Sequence, residues 1–451
     1  MITPEFLNEI VEQTEKTTEF MRTNILKRIC DRIEASLLAN EENIMIPSTI
    51  TEINQLMDTG MMIEEIQIEV EKALPAIREE VRKAFLQSAV ELSNYNTDIA
   101  KEIIQKEGYD IEIPLYERVG LPKDVANLNL TATEVRKLEQ IYKGTDKMIQ
   151  DMCRLLPVTG NEKYLRLAVE AIENVQGGTT IGQAITDSIH KACVGEKVLY
   201  TSGHVDNIEV AIARAVRTEV AKANSQIVLT RASEMGVEYV YVSEHYGARV
   251  TDKQDYTNHA MWQGKVYHLD WKKPELASFK AEILGDEKGF KWLNKLRNFI
   301  TDKFRKVKYP YKDFVDVCGY GQMLGISGIN CRHTFSPFFP DVQDEPESIV
   351  DDVKNQEYYE DTQRQREIER RIRKTKTEME CLKGRNYEET QRRMARLSNQ
   401  LTRQTDELFK FADSKGFKVE NWRLQVAKEG KKNVQVFQSK SQIQEHRRLR
   451  G

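Results

Sequence analysis

Past Pro346 the apolar residues of this chain recur at alternating three- and four-residue steps, a spacing that long helices satisfy and strands do not. Ile368, Ile372, Met379 and Leu382 fall on a and d positions, with Thr375 as the weak member. Lys383-Gly-Arg-Asn386 breaks the run; Met394, Leu397, Leu401, Leu408 and Phe411 resume it, with Gln404 weak. Two heptad segments about a short glycine turn predict an antiparallel helical hairpin over 346–412. At 1.5 Å per residue each arm would reach about 40–50 Å. Few apolar residues lie outside the seam, so the hairpin is expected to project from the body.

Residues 1–200 also read as helices. The first spans 3–38, with Phe6, Ile10, Phe20, Ile25, Ile29 and Ile33 near helical spacing. A second stretch, Ile63 to Leu92, is interrupted by Pro75. Thr131-Ala-Thr-Glu134 has the form of a capping box, in which hydroxyl and carboxylate satisfy free backbone N–H groups, and opens a segment through Leu138, Ile141 and Ile149. Lys163–Val175 and Ile181–Ala192 are further helices, separated by Gly177-Gly178. These segments read as supports or interaction surfaces. Near residue 200 the texture changes. Asp206-Asn-Ile-Glu209 starts a helix with Ile208, Ile212, Val216 and Val220 facing inward, stopped at Met235 by Gly236. Val237–Val242 reads as a strand, and the turn-rich stretch 243–345 follows. The predicted fold class is α+β, predominantly helical: a helical N-terminal region (1–200), a central α+β module (201–345), the hairpin (346–412) and a basic tail (413–451).

Composition agrees with an elongated, helix-rich protein: 40% of the 451 residues are hydrophobic and 31% charged, which is lean for one compact core. No run approaches the apolar length of a membrane span, and the Met-Ile-Thr-Pro-Glu start lacks the basic and apolar regions of a secretory signal. Six scattered cysteines without a CxxC pair exclude ribbon and knuckle zinc sites and read as reduced thiols in a cytosolic setting. The net charge is −4, yet residues 361–451 hold 24 basic and 13 acidic side chains, +11, leaving −15 for the rest. That asymmetry points to a polyanionic partner for the C-terminal part, with a solvated helical surface as the plainer account. Lys431, Lys432, Arg447, Arg448 and Arg450 are the nucleic-acid-binding candidates. The stretch 282–311 interleaves Lys291, Lys295, Arg297 and Lys303 with Trp292, Phe299 and Phe304; it suits nucleic acid, and equally an amphipathic helix with a basic face.

The densest chemistry lies in Ser243-Glu-His245-Tyr-Gly-Ala-Arg249, His259-Ala-Met-Trp262-Gln263-Gly264-Lys265 and Gly328-Ile-Asn330-Cys331-Arg332-His333. Cys331 and His333, two apart, face one side of an extended segment, and His245 and His259 would complete a Cys-His₃ set for zinc. The spacing is irregular. The plainer reading has these side chains hydrogen-bonding loops together, with no stoichiometric metal and no cofactor. Glycines 319, 321, 325 and 328 form neither a Gly-Lys-Ser/Thr loop nor a dinucleotide fingerprint, and read as turn glycines with positive φ. A nuclease-like or transferase-like site built on Asn330, His333, His259 and Cys331 lacks any complete signature, so no enzyme is expected.

In their order, these segments resemble the phage minor capsid protein 2 family. The resemblance runs through Tyr200-Thr-Ser-Gly-His204, Ala215-Val-Arg217-Thr218-Glu219, Ser243 to Arg249, His259, Gln263-Gly264-Lys265, Gly319-Tyr-Gly321, Gly328 to His333, Pro337-Phe338 and the helix at Glu367–Lys374. It departs at the basic insert 282–308 and at Val250, where the pattern expects proline. The resemblance implies a minor structural protein of a tailed-phage head, encoded beside the portal, with a central module similar to the head-morphogenesis domain of Mu-like phages. It further implies portal and head-shell proteins as partners, contact with packaged double-stranded DNA, and a place in the virion after a stage in the host cytoplasm. Arg217, Thr218, Glu219, Arg249, Gln263, Gly264, Asn330 and Arg332 are then structural motif residues. The alternative is a polyvalent phage protein whose central module carries an enzymatic activity delivered to the host.

Overall fold

The computed structural model describes residues 3–39, 59–106, 132–194, 198–199, 205–282, 309–340 and 342–426. Most of the basic insert lies outside them, as do Lys431, Lys432, Arg447, Arg448 and Arg450.

Helices α1 (Pro4–Ala39), α2 (Thr59–Lys106), α3 (Ala132–Gln176), α4 (Ile181–Val194) and α5 (Ile208–Met235) pack on one another. Each turns an apolar stripe inward, as Leu26, Ile29, Ile33 and Leu37 do on α1. The break expected at Pro75 does not occur: α2 continues through it. A proline there forfeits a hydrogen bond and crowds the preceding turn. Buried Ala73, Ile77 and Val81 on either side hold the helix to its neighbours and offset the loss. Likewise α3 runs through Pro157 and Gly160 as one helix rather than two. A Cβ at Gly160 would sit 2.5 Å from Cδ1 of Ile66 on α2, so that terminal methyl would have to turn aside for a larger residue.

Two buried ion pairs tie α5 into this body. Arg231 donates from Nε and Nη2 to Glu134 of α3 at 3.0 and 2.9 Å, with neither side chain more than 2% exposed. The carboxylate expected to close a capping box therefore serves a tertiary contact, and Thr131 lies outside the described residues. Arg22 of α1 lies between Glu19, at 3.0 Å, and Glu209 at the start of α5, at 3.1 Å.

A two-residue ladder, β1 (Val198–Leu199) with β2 (Val205–Asp206), precedes α5. The helix ends as expected, with Gly236 in the left-handed region at φ 73°. The main sheet has three antiparallel strands in the order β4 (Val266–His268), β3 (Tyr239–Val242), β5 (Phe335–Pro337). Tyr241 lies opposite Val266 and Ser336; Val242 lies opposite Phe335. Helix α5 backs this sheet, with α6 (Pro274–Glu282) beside it. A five-residue helix, α7 (Phe314–Cys318), is capped by the Asp313 carboxylate, which accepts from the Asp316 N–H at 2.9 Å. The chain is thus predominantly helical with a small antiparallel sheet.

The heptads form α8 (Asp352–Leu382) and α9 (Glu388–Lys415), running in opposite directions: Arg371 meets Glu407, Thr375 meets Gln404, and Glu378 meets Arg393, at 2.6–2.9 Å. The two weak seam positions are thus hydrogen-bonded to each other. The hairpin does not project. Its turn end lies against α4 and α1, where Arg385 pairs with Asp31 and Glu34 at 2.5 and 2.7 Å and Glu378 with His190 at 3.0 Å. Cys381 and Leu382 enter the main core there. Cys30 and Cys193 each share a hydrogen bond with Cys381, which together with burial pushes both thiols up.

Candidate functional site

The loops between the strands converge on one carbonyl. Gln263 Oε1 accepts from the His245 backbone N–H and from His333 Nε2, both at 3.0 Å. His259 Nε2 lies 2.9 Å from the Leu324 carbonyl. These contacts put the ring protons on Nε2 and leave Nδ1 as the acceptor of each imidazole. Cys331 Sγ lies 3.7 Å from His333 Nδ1. Trp262 packs against both rings, with centroids 4.6 Å from His259 and 4.7 Å from His333. Burial drives His259 down to about 4 and His333 well below the ordinary histidine value.

Three of the four zinc candidates come together: the ligand atoms of His259, Cys331 and His333 lie within 4.8 Å of one another. Imidazoles oriented through a carbonyl on the far nitrogen are the usual metal-ligating arrangement, so this donor set fits a zinc ion. His245 is not part of the set. Its ring stacks on His333 at 4.4 Å and 28°, and its Nδ1–H is directed at the Tyr246 carbonyl at 2.9 Å. Stacked rings point their nitrogens side by side rather than at a common centre. Burial also pushes the Cys331 thiol up to about 11, which keeps it protonated at neutral pH. An activated cysteine nucleophile requires the opposite shift.

Glycine placement follows two rules rather than one. Gly319 and Gly321 take positive φ, as expected. Gly325 and Gly328 do not; they are glycines because a Cβ would run into the carbonyls of Gly319 and Met323. Positive φ falls instead on Ser327 and Asn330, at 61° and 58°. Arg249 reaches across this coil to the Leu324 and Ile329 carbonyls, at 3.1 and 2.5 Å. Gly264, at φ 68°, turns the chain beside Glu244.

The cluster forms one wall of a cavity of about 640 Å³. Of the sequence-derived motif residues, Arg217, Arg249, Asn330 and Arg332 line it, with His245, His259 and His333. Thr218 is buried on α5 away from the cavity, and Glu219 pairs with Lys222 on the same helix at 2.6 Å. The opposite wall belongs to α8, through Arg366, Arg370 and Arg373, and to Arg423 of the 3-10 turn Asn421–Leu424. In the sequence these belong to the basic excess that points to a polyanionic partner or, more plainly, a solvated surface; the i, i+4, i+7 spacing of Arg366, Arg370 and Arg373 marks a single stripe. Asn355, which nothing in the local sequence distinguishes, is fully buried. Its Oδ1 accepts from the Gly247 and Ala248 N–H groups at 2.8 and 3.0 Å, clamping α8 to the loop that carries His245.

No curated protein and no solved structure matches the chain. The family described as phage minor capsid protein 2 matches residues 2–408, nearly the whole length, from α1 into α9. The chain therefore belongs to the phage minor capsid protein 2 family and is a minor structural protein of a bacteriophage virion.

Proposed function

We propose that the protein acts in head morphogenesis at or near the portal vertex, assembled from the host cytoplasm and without enzymatic turnover. In this reading residues 1–200 dock portal or head-shell proteins, and 201–345 form a head-morphogenesis-like module braced by the hairpin 346–412. The tail 413–451 contacts packaged double-stranded DNA without sequence preference. The observation that carries the docking assignment is the apolar surface left on otherwise amphipathic helices: Leu38, Ile68, Leu155 and Val158 are 45–62% exposed on α1, α2 and α3. Among the described residues no helix is long and apolar enough to cross a membrane. The protonated Cys331 thiol and neutral His333 supply no activated nucleophile, which supports a structural role.

Leu155→Asp and Val158→Asp, singly and together, test the docking face. Both side chains are exposed, so the variants should fold and melt as the wild type does. Incorporation into heads, read by immunoblot of purified particles, should fall sharply. Normal incorporation of the double variant would remove α3 as the docking face. A nuclease or transferase turnover that disappears in a folded His333→Ala protein would overturn the structural reading.

A further inference from the structure

We infer that the cavity between α5, the loops of the sheet module and α8 binds a small ligand carrying two or more phosphate groups. Its volume, about 640 Å³, lies in the range of small-molecule sites. Eight arginines line it against two carboxylates, Glu15 and Glu369, a balance of +6. Both carboxylates are engaged, Glu15 by Arg373 at 3.6 Å and Glu369 by Arg423 at 3.8 Å. Arg217, Arg332, Arg366 and Arg370 have no ion-pair partner among the described residues, and Arg217 Nε is buried with no hydrogen-bond acceptor. Like charges gathered in a partly enclosed site cost free energy, and a polyanion relieves that cost. The cost registers on Arg217, which burial, then the neighbouring Arg332, pushes down to about 10.

Guanidinium groups match phosphate oxygens in bidentate geometry, so the residue type as well as the charge selects phosphate. The walls come from separate segments of one chain: Asn8 on α1, Arg217 on α5, Arg332 before β5, Arg366 on α8 and Arg423. A ligand must enter between them, which favours a compact molecule over a duplex lying along a face. Tyr246 and Tyr358 line the same space with ring centroids 5.9 Å apart, offering surfaces on which a base can stack. His245 Nε2, an acceptor by its tautomer, is buried without a donor, and a ligand hydroxyl would satisfy it. These two features favour a nucleotide over inorganic polyphosphate.

Isothermal titration of the full chain with adenosine 5′-triphosphate, inorganic triphosphate, adenosine and a short blunt DNA duplex tests the assignment. Saturable one-to-one binding of both triphosphates, and none of adenosine, is expected. Tighter binding of the nucleotide identifies it as the source of the phosphates; equal binding identifies inorganic polyphosphate. Arg217→Gln should weaken binding at least about tenfold, the worth of one charge-assisted hydrogen bond. Arg366→Ala with Arg370→Ala, on the more exposed face of α8, repeats the test should Arg217→Gln fail to fold. Absence of saturable binding, affinities unchanged in both variants, or equal binding of adenosine would overturn the proposal. A duplex that displaces the triphosphate at lower concentration would assign the cavity to DNA and overturn it as well.

Discussion

At the scale of single residues, the Gln263 carbonyl orients His333 and anchors the His245 backbone at once, so three segments distant in sequence depend on one oxygen. The His333 ring and its neighbour His259, oriented by the Leu324 carbonyl, are held neutral by burial. Between their folded values and the ordinary value of about 6.5, the unfolded chain binds more protons than the folded one. Stability contributed by the neutral imidazoles is therefore complete above about pH 6.5 and is lost as the pH falls toward the folded value, about 4 for His259. For His259 alone the difference amounts to about 3 kcal/mol. Urea unfolding of chelator-treated protein should show lower stability at pH 5 than at pH 7. His259→Gln, which keeps a donor for the Leu324 carbonyl but cannot titrate, should show a shallower loss; an unchanged pH slope would remove His259 as its source.

Among elements, Asn355 is the fully buried side chain at the joint between hairpin and sheet module, beside the more exposed contacts of Glu244 with Ser348 and Ile349. Asn355, in the first turn of α8, satisfies two backbone N–H groups of the Gly247–Ala248 turn and directs its own amide at the Ala248 carbonyl, 3.3 Å away. Asn355→Ala would orphan buried donors and should cost about 2–3 kcal/mol. Asn355→Asp retains the acceptor and should recover most of that in thermal unfolding. Equal melting of the alanine variant and the wild type would show that solvent reaches the turn. Helix α8 could be foreseen from its heptads; its joint could not. Asn355 is one polar residue among many at the start of a charged helix, and nothing within several residues of it reveals that Gly247 will be its neighbour.

Over the whole molecule, the charge asymmetry has two destinations. Part of the basic excess, Arg366, Arg370, Arg373 and Arg423, turns inward onto the cavity. The rest lies past Val426, where residues 427–451 carry seven basic and two acidic side chains. Removal of residues 427–451 should weaken non-specific duplex binding and flatten its log–log salt dependence, by about 0.9 for each phosphate no longer neutralised. It should leave triphosphate binding in place, because the cavity lies wholly within residues 8–423. A truncated protein with unchanged affinity and slope would exclude the tail as the site of DNA binding.

Sequence alone determined what depends on neighbours along the chain. The inward stripe of α5 and its stop at Gly236, the heptads of α8 and α9, and the strand ending at Val242 all follow from periodicity and turn chemistry within a few residues. The convergence of histidines 259 and 333 with Cys331 was legible as a motif, because those residue types cluster in two short segments. Tertiary structure decided the rest. It joined α2 and α3 through their prolines, since burial on both sides outweighs one missing helical hydrogen bond. It laid the hairpin on α1 and α4 through ion pairs of Arg385 and a hydrogen bond of Glu378 whose partners stand more than 180 residues apart. It also set the arginines of α5, the loops and α8 face to face. Each stripe, taken alone, is an ordinary charged helix surface, and only the packing of one against another makes them a single cationic cavity.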